Sequence, residues 1–174
     1  MDYRKEYEKW LASPALSEDE RAELRALEGN DKEIKARFYG PLEFGTAGLR
    51  GTMYTGLHNM NRHVIRWATQ GFANVIRAEG TEAMQKGVAV CMDCRNHSAE
   101  FARETACVMA ANGIHVRLFE SLRPTPELSF AVREYGCQAG VNVTASHNPK
   151  EYNGYKVYCC LLYTSDAADD GESV

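Results

Sequence analysis

The sequence predicts an α/β protein: a three-layer α/β/α domain built on a mainly parallel mixed sheet and preceded by a helical N-terminal extension. Three observations predict it. Residues 87–92 and 138–143 are short continuous apolar runs, the pattern of strands buried on both faces. Apolar stripes at helical spacing alternate with these runs, and that alternation implies a layered domain around a parallel sheet. Residues 1–40 are polar, carry only helical patterns and so lie outside the alternation.

In the extension, Tyr3, Tyr7, Trp10 and Leu11 recur at helical spacing, and Pro14 stops that helix. Ser17 followed by Glu20 is a capping box, predicting a second helix to about Leu27, stopped by Gly29. A third short helix is expected over residues 31–39, before Gly40 and Pro41.

The main domain is placed at residues 41–158. A glycine-rich turn from Gly45 to Gly51 leads into a strand expected over 49–54. Asn61 caps a long helix whose stripe is Val64, Ile65, Ala68, Phe72, Val75 and Ile76, and Gly80 closes it. After the 87–92 strand, Ser98 is expected to cap a helix with Phe101, Ala102, Thr105, Ala106 and Met109 inward. A strand over 114–119, a helix from Pro126 to Tyr135 and the 138–143 strand follow. Residues 159–174 have no period and end on small and acidic residues. They resemble translated adapter read-through and are set aside as a non-native or disordered tail.

The formal net charge of −4 argues against nucleic acid or an anionic membrane as the main partner. No stretch has the length and apolarity of a bilayer span, and the charged N-terminus lacks the apolar centre of a signal peptide. A cytoplasmic protein with reduced cysteines is expected. Cys91 and Cys94 form a C-x-x-C, but a zinc site needs a second pair at matching spacing. The other close pair is Cys159-Cys160, in the suspect tail. Cys91 lies within an apolar strand and reads as core.

Ser146 follows the 138–143 strand in a loop closed by Pro149. Two readings are open for it: a nucleophile, or a turn residue bonding its own backbone. A hydrolase is the poorer form of the first, because no G-x-S-x-G elbow is present and His147 is badly placed as a base to its own neighbour. Asp93 also follows a strand, so both residues can reach the same sheet edge. Asp93 and Arg95 read as an ion pair bracing the serine loop.

Thr144-Ala145-Ser146-His147-Asn148-Pro149, followed by Tyr152-Asn153-Gly154-Tyr155-Lys156, resembles the active-site serine segment of the α-D-phosphohexomutase superfamily. Phe44-Gly45-Thr46-Ala47-Gly48-Leu49-Arg50-Gly51 resembles its opening motif, in the form of the phosphoglucomutase and phosphopentomutase branch. Asp93-Cys94-Arg95-Asn96-His97-Ser98 resembles its D-x-R-x-x-S segment. The resemblance, to domain I of the phosphoglucomutase/phosphomannomutase type, implies a phosphoserine at Ser146. That residue phosphorylates a sugar monophosphate, and the resulting sugar 1,6-bisphosphate returns its other phosphate to the serine. The net effect moves phosphate between C1 and the terminal hydroxymethyl, with glucose the leading sugar.

The resemblance further implies roles for individual residues. Lys156 would act as acid/base or cation, and Arg50 as a forked cation on a phosphoryl oxygen. His147 would hold substrate or phosphate. Gly48 and Gly51 would let backbone approach the phosphate, and Asn148 and Asn153 would support the loop. Mg²⁺ would bind an oxygen of the phosphate on Ser146. The family's D-x-D-x-D metal loop does not occur here; Asp166, Asp169 and Asp170 have the wrong spacing. The C-terminal domains that recognise the sugar and its distal phosphate are expected elsewhere in the same enzyme, so this polypeptide alone is expected to be inactive. The competing reading is a non-catalytic sugar-phosphate binding or regulatory module.

Overall fold

A computed structural model describes residues 1–45 and 48–159. The extension comprises α1 (Tyr3–Leu11), α2 (Glu18–Arg25) and α3 (Asp31–Phe38). The domain follows as β1 (Leu49–Thr52), α4 (Arg62–Ala78), α5 (Thr81–Lys86), β2 (Val88–Met92), α6 (Ser98–Ala111), β3 (Val116–Leu118), α7 (Thr125–Glu134), β4 (Ala139–Val143) and β5 (Tyr152–Cys159).

The strand order is β1-β5-β4-β2-β3. β2 pairs in parallel with β3 and β4, whereas β5 runs antiparallel between β4 and β1. Every residue of β2 and β4 is buried, as strands covered on both faces must be. Val88, Val90, Val141, Val143 and Tyr155 face α4 and α6 in the main core. Ala89 and Cys91 pack on the other face with Leu128 of α7. The result is three layers, with the buried parallel strands β4 and β2 inside the sheet and the third parallel strand, β3, at its edge.

The extension is fastened to the domain. Phe38 and Leu24 are fully buried in a second cluster that also takes Leu57 from the loop after β1. The Glu23 carboxylate accepts from the Thr55 backbone N–H at 3.2 Å and from its hydroxyl at 2.5 Å, and pairs with Arg37. Glu20 completes the capping box with Ser17 and also receives Arg62 and His63 from the start of α4. Among the described residues no helix is long and apolar enough to cross a membrane.

Several elements differ from expectation. The strand expected over 49–54 stops at Thr52, because the chain turns there: the Thr52 carbonyl accepts from the N–H groups of both Tyr54 and Met60. The strand expected over 114–119 shortens to Val116–Leu118, an edge strand with one neighbour. Ser98 does not cap α6. His97, in the left-handed region at φ 62°, holds that position, and Ser98 turns its hydroxyl to Asp93 instead. Val75, assigned to the inner stripe of α4, is 54% exposed, and Thr69 is buried in the stripe. Neither α5 nor β5 is among the expected elements. Asn153-Gly154 has the composition of a turn, yet both residues lie inside β5.

The tail is expected to begin at Cys159, but the backbone of that residue still pairs with Ala139 as the last residue of β5. Residues 160–174, with the read-through reading, and Thr46-Ala47 of the glycine-rich segment lie outside the described residues.

Candidate active site

β4 delivers Ser146 to the carboxyl end of the sheet. Ala145 is fully buried, and the chain then emerges so that Ser146 and His147 are exposed. Ser146 has φ 56°, in the left-handed region that a residue with a Cβ adopts at a cost of about 1–2 kcal/mol. Hydrogen bonds hold it there. Its N–H donates to the Thr144 hydroxyl at 3.0 Å, and its carbonyl accepts from Arg95 Nη2 at 2.7 Å. The Ser146 hydroxyl faces solvent, with His147 Nδ1 3.4 Å away.

Arg95 organises the rest of the loop. Its Nη1 donates to the carbonyls of Pro149 (2.8 Å) and Tyr152 (3.0 Å), and its Nη2 to those of Ser146 and Asn148 (2.6 Å). A planar fork suits this task, since it presents several donors in fixed directions. Asp93 orients the fork: Oδ2 lies 3.4 Å from Arg95 Nε, while Oδ1 accepts from the Arg95 backbone N–H and from the Ser98 hydroxyl at 2.7 Å. Asn153, fully buried, donates to Asn96 O (2.9 Å) and Ser98 Oγ (3.0 Å) and accepts from the Gly154 N–H. These bonds tie the segments at 93–98, 144–149 and 152–154 into one network. Arg95 holds the loop through its backbone carbonyls and makes no bond to the serine hydroxyl.

Arg50 and Lys156 share a face of the sheet. Arg50 pairs across strands with Gly154 and Lys156 with Asn142, and both pairs lie on the side opposite Leu49 and Tyr155. Arg50 reaches the serine loop, its Nη1 donating to Asn148 Oδ1 at 3.3 Å. Its Nε is buried and has no partner among the described residues. An unpaired buried donor is uncommon and calls for an acceptor such as an anion. Lys156 is half-buried and makes no ion pair among the described residues.

Gly48 and Gly51 sit in tightly packed surroundings. At Gly48, φ is +83°, and an added Cβ would lie 2.4 Å from the Tyr155 carbonyl oxygen. At Gly51 the same atom would touch Leu42 and Met60. The space that their missing side chains leave is taken by β5 and by the core. Gly154 is the most constrained of this group, with a notional Cβ 2.5 Å from Thr144 O, 2.8 Å from Leu49 O and 3.3 Å from Arg50 Cγ. The stem of Arg50 lies in the room it leaves.

Three supporting residues are not legible as such in the sequence. Ser98 carries the signal of a helix cap, Thr144 that of a motif position and Gly154 that of a loop. For Thr144 one signal is present: a hydroxyl two residues before a serine, the spacing of a side-chain-to-backbone turn. The C-x-x-C splits between environments, with Cys91 buried, its thiol pushed up to about 12 by burial first and then by Asp93, and Cys94 exposed. Among the described residues no three His, Cys, Asp or Glu side chains gather as metal ligands. Asp93 is already engaged by Arg95 and Ser98. The described residues therefore do not make a Mg²⁺ cage, and a phosphate on Ser146 would offer a single ligand.

Comparison with known proteins agrees with the geometry. Residues 41–161 match the family described as phosphoglucomutase/phosphomannomutase, alpha/beta/alpha domain I. A human phosphopentomutase is 42% identical over 137 residues, which is 75% of this chain and 22% of that protein. A phosphoglucomutase of Staphylococcus saprophyticus is 41% identical over 128 residues, 74% of this chain and 23% of that one. A solved phosphoglucomutase/phosphomannomutase family protein from Burkholderia thailandensis superposes with TM-score 0.56 at 25% identity, covering 73% of this chain and 30% of its own. The chain thus spans under a third of the length of each of these relatives. A specific serine segment, a matching α/β/α layer order and this likeness converge: the chain belongs to the phosphoglucomutase/phosphomannomutase family, of which it carries domain I.

Proposed function

We propose that this chain is the phosphoserine domain of a phosphosugar mutase, which moves phosphate between C1 and the terminal hydroxymethyl of a sugar, glucose first among the candidates. The observation that carries the reading is the pairing of an exposed Ser146 hydroxyl on a clamped loop with Arg50, bonded to that loop and holding a buried unpaired Nε.

Phosphoryl transfer needs positioned charge more than covalent help. Starting from a sugar bisphosphate, the P–O bond to the sugar breaks as the bond from Ser146 Oγ to phosphorus forms. The serine proton passes to a base, and the sugar alkoxide takes a proton on leaving. Lys156 is assigned to the proton transfer in its neutral form or to charge neutralisation as a cation. Arg50 is assigned to an equatorial phosphoryl oxygen, and His147 to holding substrate. Asp93, Arg95, Asn148 and Asn153 hold the loop. Mg²⁺, when bound in the whole enzyme, would supply charge neutralisation at the phosphate on Ser146, with its other ligands drawn from outside this chain.

The test is the intact mass of the full-length protein after incubation with glucose 1,6-bisphosphate. One added phosphate, located on Ser146 and absent in Ser146→Ala, is expected. Binding without phosphorylation would instead mark a regulatory module. Labelling of Ser146 by a fluorophosphonate would point to a hydrolase. Parallel assays with glucose 1-phosphate and ribose 1-phosphate decide the sugar, and the 174-residue chain alone is expected to interconvert neither.

A further inference from the structure

Asn142 is an unusual occupant of its position. It sits in β4, where every residue is buried, and is itself 2% exposed. A carboxamide there costs free energy unless both ends are bonded. One end is: Nδ2 donates to the Thr125 hydroxyl, in the first turn of α7, at 2.7 Å. The other is not, since Oδ1 is buried without a partner among the described residues.

Cross-strand register limits what can donate to that oxygen. Asn142 stands between Cys91 on β2 and Lys156 on β5, all on the α7 face. Directly paired residues have Cβ atoms about 4.5–5.5 Å apart. Cys91 is fully buried, and its protonated thiol is a weak donor. Lys156 is half-buried, with a flexible stem and an ammonium that has no partner among the described residues. A charge-assisted bond is roughly twice as strong as a neutral one, so the ammonium outcompetes the thiol.

Resting on the assignment of Lys156 above, we propose that Asn142 is a positioning residue for Lys156: its Oδ1 accepts from the ammonium and draws it toward β4. The direction matters. Arg50 lies on the opposite side of Lys156, on β1, and Gly154 puts no side chain between the two cations. Without Asn142 nothing draws the ammonium toward β4. With it, Lys156 is held on the strand whose end carries Ser146, and away from Arg50.

The test follows Lys156 in the 174-residue chain by acetylation footprinting with mass spectrometry and by the Nζ signal in NMR. Acetylation needs the amine to reach the reagent, which a bond to Asn142 hinders. Asn142→Leu should raise the Lys156 rate, relative to the other lysines, by roughly tenfold, and broaden its Nζ signal. Asn142→Asp should lower the rate below that of the parent chain. Thr125→Val, which removes the other bond of Asn142, should leave it unchanged. An unaltered Lys156 rate in Asn142→Leu, with the backbone amide spectrum intact, overturns the proposal. If Asn142→Leu fails to fold, Asn142→Asp decides alone, and no decrease there overturns it equally. The mutase reading fails separately, if Lys156→Ala in the full-length protein leaves phosphoryl transfer unchanged.

Discussion

Arg95 Nη2 lies 2.7 Å from the carbonyl oxygen of Ser146, so the residue that presents the hydroxyl is held by its own backbone from 51 positions away in sequence. The hydroxyl stays exposed while the backbone that carries it is tied down, as the phosphate carrier proposed above would require.

Removing that clamp should loosen the loop. Arg95→Ala strands the carbonyls of Ser146, Asn148, Pro149 and Tyr152 and leaves Asp93 without its cation. A loss of about 2–4 kcal/mol is expected, read as a fall in denaturation midpoint. Arg95→Lys should recover under half of it, because an ammonium cannot fork across the loop.

Ser146 separates chemistry from stability. Ser146→Ala should leave the melting temperature unchanged and abolish phosphorylation. Ser146→Gly should also abolish phosphorylation but stabilise the chain by up to about 1 kcal/mol, since φ 56° carries a Cβ penalty that glycine lacks. Calorimetry of the two variants side by side checks the sign.

Gly154→Ala should be far more harmful than its size suggests. The new methyl would lie 2.5 Å from Thr144 O and 2.8 Å from Leu49 O, both backbone atoms, so the strands must part. A destabilisation of about 3 kcal/mol or more is expected in urea unfolding, with disturbed NMR signals for Arg50 and Thr144.

The clasp between extension and domain should weaken in acid. Burial, ahead of the charges around it, holds His63 below its usual 6.5, and its folded form resists protonation. Burial also pushes Glu20 up, but bonds from Ser17 and Arg62 and the charge of His63 outweigh it and leave the carboxyl below 4.5. Both folded pKa values are depressed, so each contribution is complete above its unfolded value and lost as pH falls. Stability should decline first below about 6.5 through His63 and again below about 4.5 through Glu20. Melting temperatures between pH 7.5 and 4 check this, and His63→Asn should remove the first step and shrink the second, since the charge of His63 helps hold Glu20 down.

Much of the site is legible in the sequence. Ser146, Asp93 and Arg95 follow apolar runs, which puts them at one sheet edge, and in the folded chain Arg95 bonds carbonyls of the serine loop while Asp93 lies beside its Nε. β5 is not legible, because Asn153-Gly154 carries the composition of a turn while its real constraints are a buried network around Ser98 and a contact with Arg50. Ser98 misleads for a related reason: its hydroxyl has a better partner in Asp93 than in the helix it begins.

Local patterning in the chain suffices for the layer order, the two central strands, the helical extension and the serine loop, because apolar periodicity and turn chemistry are written in neighbouring residues. It does not reach three other facts: β5 enters antiparallel beside β4, Arg50 and Lys156 share one face, and Gly48 and Gly51 serve packing. Those depend on which strands become neighbours in the folded molecule. Register between residues a hundred positions apart is set by how the whole core closes, and no local pattern encodes it.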